Sequence, residues 1–100
     1  MATAAAADIE DAKRVVLEGL ASYAVRVYLF GSQAEGGAGR GSDIDIGVLP
    51  LEPLPAGLLA QIHDALENSP ILCSVDLVDL SRVEPAFRQR VEEEGIPWTK

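Results

Sequence analysis

The chain has 100 residues, of which 48% are hydrophobic, and a formal net charge of −8 at pH 7. This length predicts a single domain over residues 1–100 with one modest core, in which residues 1–7 form a frayed start. The acidic balance argues against direct binding to a nucleic-acid backbone, and no apolar run approaches the ~20 residues that span a bilayer, so we expect a cytoplasmic protein without membrane contact.

The first predicted element is an amphipathic helix from about Asp8 to Tyr23. Its apolar residues recur at helical spacing and form one face: Ile9, Ala12, Val16, Leu20 and Tyr23. Asp8 is placed to cap this helix, and Gly19 should weaken it by up to ~1 kcal/mol relative to alanine. Residues 25–30 follow, and their valine and aromatic side chains predict the first strand.

A glycine-serine pair and a glycine-rich loop follow the first strand. Gly31 has no Cβ and would let a ligand approach the backbone closely. Ser32 is placed to begin a short helix whose free N–H groups suit a phosphate, although a plain strand–turn–helix cap has the same pattern. Residues 36–41, which include four glycines, form either a flexible connector between antiparallel strands or a lid beside the phosphates.

Asp43 and Asp45 lie at the start of the second predicted strand, residues 44–49. Side-chain alternation places both on one face, separated by two strand steps of ~3.3 Å. Two carboxylates on one face repel each other unless they share a cation or are both solvated. Magnesium prefers one or two carboxylates together with waters and substrate phosphates. The pair therefore predicts either a magnesium site or two solvated acids at the rim of a strand.

A proline-rich linker and a second amphipathic helix come next. Residues 50–55 contain three prolines and end the second strand. Apolar residues from Leu58 to Leu66 then recur at helical spacing. His63 lies on this helix, where we expect a surface or hydrogen-bonded side chain rather than a catalytic one.

The third predicted strand, residues 71–78, contains an acid in an otherwise apolar run. Alternation puts Asp76 and Asp79 on opposite faces, so a regular strand cannot direct both at one site. Because a buried carboxylate without a partner is costly, Asp76 is expected either to share a metal with the two earlier acids or to be hydrogen-bonded or exposed at an edge. Asp79 is expected to end the strand or cap the following turn.

Cys73 is the only cysteine of the sequence, so an intrachain disulfide is excluded, and it is expected to be a small core residue.

The C-terminal segment predicts one more helix and a short tail. The helix starts from a capping box of Ser81 and Glu84 and ends at Gly95, a natural C-terminal cap. Residues 96–98 would then dock as a short strand or tail, with Trp98 packed rather than binding a base.

The segment from the first to the second strand carries a specific pattern: an apolar strand, Gly31-Ser32, ten intervening residues, Asp43-x-Asp45 and a second apolar strand. This pattern resembles the nucleotidyltransferase superfamily that includes DNA polymerase β, and most closely its minimal nucleotidyltransferase (MNT) members. The resemblance covers residues 20–98. It implies an α/β (α+β) fold, in which a small mixed or antiparallel sheet of three to four strands is covered by helices.

The same resemblance implies transfer of AMP from ATP to a hydroxyl group. In that chemistry Asp43, Asp45 and Asp76 would be the catalytic and metal-binding residues and would hold two magnesium ions. Gly31 and Ser32 would bind the phosphates of the nucleotide. The protein would supply positioning and charge, which is most of what phosphoryl-type transfer requires.

MNT proteins often act as antitoxins beside a helical HEPN ribonuclease toxin, and some transfer AMP onto the toxin. The resemblance therefore implies a HEPN-type toxin as hetero-oligomeric partner and hydroxyl acceptor. Gln33 and Glu35, however, stand where family members commonly carry arginines, and an acid there would repel a triphosphate. Two alternatives stay open: a non-catalytic module that neutralises a toxin by occlusion, and a nucleotidyltransferase that acts on a small molecule or an RNA end.

Overall fold

Three helices and four strands make up the part of the chain that the computed structural model describes, residues 6–30, 44–71 and 73–99. The helices are α1 (Ala6–Gly19), α2 (Leu58–Glu67) and α3 (Pro85–Glu94), and the strands are β1 (Val25–Phe30), β2 (Ile44–Pro50), β3 (Val75–Asp79) and β4 (Ile96–Pro97). In these ranges no helix has the length and apolar character needed to cross a membrane.

The four strands form one mixed sheet in the order β3-β2-β1-β4. β1 and β2 are antiparallel, with Val25 opposite Pro50 and Phe30 opposite Asp45. β3 lies parallel to β2, and the short β4 lies antiparallel to β1. This mixed sheet with its helices confirms the predicted α+β fold, including the short final strand.

Side-chain alternation divides the apolar residues of the sheet between two cores, one on each face, where the chain length predicted one modest core. The first core joins the sheet to α1 and α2, and its buried residues include Val16, Val27, Ile46, Ile62 and Leu66. The second core joins the sheet to α3, and its buried residues are Tyr28, Phe30, Leu49, Leu80 and Val91. Helices therefore cover both faces, and β2 is buried along nearly its whole length.

The bounds of α1 differ from the sequence prediction at both ends. The helix begins at Ala6, which places Asp8 in its first turn rather than at its cap. It ends at Gly19, so Tyr23 lies beyond it. A Cβ on Gly19 would lie 2.8 Å from Cγ1 of Ile62, which is closer than side chains normally pack. The glycine weakens the helix, but it allows α1 and α2 to approach each other.

The turn between β3 and α3 does not contain the predicted capping box. The Ser81 hydroxyl donates to Oδ1 of Asp79 at 2.6 Å, and the Ser81 backbone N–H donates to the same oxygen at 2.9 Å. Glu84 is itself the N-cap of α3, and its side chain makes no capping hydrogen bond to a described residue. The Ser81–Glu84 prediction is wrong because Asp79 takes the hydroxyl. The prediction that Asp79 ends its strand and caps the turn is confirmed.

The C-terminal segment closes the other edge of the sheet. Gly95 caps α3, and its N–H donates to the carbonyl of Val91 at 2.8 Å. Its φ of −74° suits any residue, so the need for glycine is steric: a Cβ would lie 2.6 Å from the oxygen of Val91. Trp98 packs against the first core as predicted, and so does the half-buried Cys73.

Candidate functional site

Two carboxylates lie side by side at the end of the sheet where β1 ends and β2 and β3 begin. Asp45 is directly opposite Phe30 of β1 on one side and Asp76 of β3 on the other. Paired residues of neighbouring strands project from the same face, and adjacent strands lie about 4.8 Å apart. The side chains of Asp45 and Asp76 are therefore neighbours on the face that packs against α3.

The two carboxylates differ in their exposure to solvent. Asp45 is 1% exposed and is the buried charged residue of the described core, whereas Asp76 is exposed. A carboxylate is rarely buried unless it is paired, hydrogen-bonded or bound to a cation. A ligand held between them would bind a buried carboxylate, Asp45, on one side and a solvent-exposed carboxylate, Asp76, on the other.

Apolar side chains close the sheet face around Asp45. Phe30 packs edge-on against Phe87 of α3, with ring centroids 5.6 Å apart. Gly47 is the next residue of β2 on this face, and a Cβ there would lie 2.9 Å from Cδ1 of Leu80. Water is thus excluded from one side of the carboxylate, and the lower local dielectric strengthens its attraction for a cation.

The donor set fits magnesium. Asp45 and Asp76 supply carboxylate oxygens from adjacent strands, and these are ligands that magnesium prefers. Because Asp76 is exposed, waters and phosphate oxygens can complete an octahedral shell on its side. The same pair can therefore serve a metal and a nucleotide together.

The remaining predicted site residues, Gly31, Ser32 and Asp43, lie outside the described residues, as does the glycine-rich loop 36–41. Gly31 and Ser32 directly follow the end of β1 in the sequence, and Asp43 directly precedes β2. Their roles stay predictions. Of the three predicted carboxylates, the structure brings two together.

A second group of potential ligands lies on α2. His63, Asp64 and Glu67 each offer one ligand atom, and these three atoms lie within 4.8 Å of one another. Nε2 of His63 is 3.2 Å from the carbonyl oxygen of Val75 and 3.7 Å from a carboxylate oxygen of Glu67. Because a carbonyl oxygen can only accept, Nε2 carries the hydrogen in this contact and is occupied as a donor. His63 is thus hydrogen-bonded, as expected, but the sequence did not indicate its partner.

Comparison with known proteins gives a family for most of the chain. A protein-family model described as "Polymerase beta, Nucleotidyltransferase" matches residues 20–97, a range that contains all four strands of the described sheet. No curated protein matches the chain.

Several solved structures share the fold at appreciable sequence identity. A toxin–antitoxin crystal structure with AMP-PNP is 30% identical, with a TM-score of 0.59, over 87% of this chain and 72% of that chain. A Shewanella oneidensis complex of tri-AMPylated HEPN toxin with MNT antitoxin is 25% identical, with a TM-score of 0.58, over 90% of this chain and 71% of that chain. A MntA–HepT toxin–antitoxin structure is 26% identical, with a TM-score of 0.56, over 90% and 71% of the two chains.

Proposed function

This chain belongs to the polymerase β nucleotidyltransferase family, and we propose that it transfers AMP from ATP to a hydroxyl group of a partner protein. The observation that carries the proposal is the strand register that sets Asp45 beside Asp76. Two adjacent carboxylates, one buried and one exposed, suit a reaction that must hold charged phosphates and still admit an acceptor.

In the proposed reaction, the acceptor oxygen forms a bond to the α-phosphorus of ATP while the bond from that phosphorus to the bridging oxygen of the β-phosphate breaks. Pyrophosphate leaves, and the acceptor keeps AMP as a phosphodiester. The exposed Asp76 is the carboxylate that an incoming hydroxyl can reach, and it would help to take the proton. The buried Asp45 would hold the nucleotide side of the site.

Magnesium would be held by Asp43, Asp45 and Asp76, with two ions expected. When bound, it neutralises charge on the phosphates and stabilises the attacking and leaving oxygens. Gly31 and Ser32 would bind the outer phosphates through backbone N–H groups and the hydroxyl. The chain's own task is then to fix these oxygens and donors in place before the acceptor arrives.

The acceptor that we propose is a HEPN-type toxin in a cytoplasmic hetero-oligomer, which this chain would inactivate as an antitoxin. Support comes from the Shewanella complex, in which a HEPN toxin carries AMP groups beside an MNT antitoxin, and from the relative that was crystallised with AMP-PNP. The acidic surface of a chain with a net charge of −8 also suits a basic RNA-cleaving partner.

The test is transfer of label from α-³²P-ATP, with magnesium, to a HEPN-type toxin, taken from a gene beside that of this chain where there is one. We expect labelled partner with the wild type and loss of label with Asp45→Asn and Asp76→Asn. Asp79→Asn is the matched control: it also removes a charge from β3, but on the opposite face, and its amide oxygen can still accept from Ser81. Label that persists in Asp76→Asn at the wild-type rate would contradict the proposal.

A non-catalytic role is the second candidate, and the sequence feature that favours it is the pair Gln33 and Glu35 in place of arginines. In that case the chain would neutralise the toxin by occlusion alone. The same assay separates the two roles: tight binding and inhibition of the toxin without label, unchanged by Asp76→Asn, would indicate occlusion. Label on RNA ends or on a small alcohol would indicate a different acceptor.

A further inference from the structure

The strand that carries Asp76 lies at an edge of the sheet. β3 pairs with β2 on one side, and its other side has no strand among the described residues. The N–H of Ile44 donates to the carbonyl of Ser74 at 3.1 Å, and the N–H of Leu80 donates to the carbonyl of Val48 at 2.8 Å. In a parallel ladder, the backbone groups of successive residues alternate between the two sides of the strand. The N–H and carbonyl of Asp76 therefore face β2, and the N–H and carbonyl of Val75 face the open side.

His63 of α2 lies on this open side and contacts Val75, the residue before Asp76. Its Nε2 lies 3.2 Å from the outward carbonyl of Val75, and its side chain is 36% exposed. The neighbouring residues Ile62 and Leu66 anchor α2 in the first core. α2 therefore has its own apolar anchor, and the hydrogen bond from His63 is a separate tie between this helix and the start of β3.

We infer that His63 is a positioning residue, which holds the first residues of β3 against β2 and so keeps the carboxylate of Asp76 beside that of Asp45. The inference rests on the proposed function for its catalytic meaning, but the structural tie can be measured on its own. On the β2 side, the carbonyl of Ser74 accepts from the N–H of Ile44, and the side chain of Val75 packs against the first core. The hydrogen bond from His63 adds a tie on the open side of the same strand end, and strand ends are where local opening starts. A one-residue shift there would turn Asp76 to the other face.

The rival explanation is that His63 simply fills space on α2. It predicts that any loss of stability in His63→Ala affects the whole fold equally. The positioning role instead predicts a local effect at Asp76, recovered by a side chain that can still donate. Gln places an amide N–H at a reach similar to that of Nε2 and serves as the conservative variant. Gln61→Ala, an exposed substitution on the same helix, is the matched control.

The first measurement is amide hydrogen exchange by NMR on the protein without nucleotide. In His63→Ala we expect exchange at Asp76 to rise about 3- to 10-fold, as for the loss of one hydrogen bond, with Val27 of β1 unchanged. His63→Gln should stay close to the wild type, and Gln61→Ala should have no effect. Unchanged exchange at Asp76 in His63→Ala, or an equal rise at Asp76 and Val27, would overturn the inference.

The second measurement is AMP transfer in the complex with the partner. His63→Ala should lower kcat by a similar factor and leave the KM for ATP within about twofold, because the nucleotide is held chiefly from the β2 side. His63→Gln should recover kcat. A rise in KM with kcat unchanged would overturn the positioning role. If the wild type transfers no AMP, the proposed function fails, and the exchange experiment still decides whether His63 fixes β3.

Discussion

Asp45 and Asp76 are direct partners in the parallel pairing of β2 and β3, yet Asp45 is 1% exposed and Asp76 is exposed. β2 is flanked on both sides, by β1 and β3, whereas β3 is at the edge, which accounts for the difference. Like charges so close repel each other when no cation is shared. A cation should therefore stabilise this edge of the sheet as well as serve the reaction.

Magnesium with ATP should raise the thermal stability of the protein. A ligand present at about 100 times its Kd adds roughly 2.7 kcal/mol to the free energy of unfolding. For a domain of ~100 residues this corresponds to an increase in Tm of roughly 10 °C or more. Asp45→Asn and Asp76→Asn should each reduce the shift, because each removes ligand oxygens, while Asp79→Asn should keep it. Calorimetry with and without EDTA checks this, and an equal shift in all four proteins would contradict it.

Gly19→Ala should destabilise the protein although alanine is the better helix former. The gain in propensity is at most ~1 kcal/mol, whereas overpacking a close contact costs about 1–3 kcal/mol. The new Cβ would lie 2.8 Å from Cγ1 of Ile62. Urea unfolding should show a net loss of about 1 kcal/mol. In an Ile62→Ala background the same substitution should be neutral or stabilising, and a stabilising effect in the wild type would refute the contact.

Gly95→Ala should weaken the pairing of β4 with β1. A Cβ there would meet the oxygens of Val91 at 2.6 Å and Leu29 at 3.2 Å, and neither backbone atom can move away easily. We expect a loss of about 2 kcal/mol and a red shift in the emission of Trp98, the chain's only tryptophan. Gly57→Ala is the control: its φ of 83° carries a conformational cost of ~1 kcal/mol, but nothing lies within 4 Å, so Trp98 should not respond.

Phe87→Leu should weaken the apolar wall beside Asp45. Its ring packs edge-on against Phe30 at 5.6 Å, and such a pair contributes about 1 kcal/mol beyond the area that it buries. Phe30→Leu removes the same pair from the other side. A double-mutant cycle measured by urea unfolding should therefore give a coupling of about 1 kcal/mol. Strict additivity of the two changes would show that the rings contribute only by burial.

Local patterns predicted much of the fold. The runs at residues 25–30 and 44–49 became β1 and β2, because they are rich in β-branched and other apolar residues that favour strands and can fill a core on each face of the sheet. The third strand was predicted to begin at residue 71, but it begins at Val75. Side-chain alternation alone also predicted that Asp76 and Asp79 lie on opposite faces, but it did not say which of them faces the site.

Long-range contacts explain what the sequence did not predict. The register of β3 against β2 joins segments that are far apart in the chain, and no local pattern specifies it. The same holds for the contact of His63 with Val75 and for the packing of Gly19 on Ile62. The failed capping box at Ser81 shows that a local motif yields when a neighbouring acceptor, here Asp79, competes for the same hydroxyl.

The most direct test of a metal site at Asp45 and Asp76 is to locate a bound metal ion. Manganese can replace magnesium, and it broadens the NMR signals of nearby nuclei. Substoichiometric manganese with ATP should therefore first broaden the amide signals of Asp45 and Asp76 beyond detection. The substitution Asp76→Asn should weaken this broadening. Broadening centred instead on His63, Asp64 and Glu67 of α2, with Asp45 and Asp76 unaffected, would show that the paired carboxylates are not the metal site.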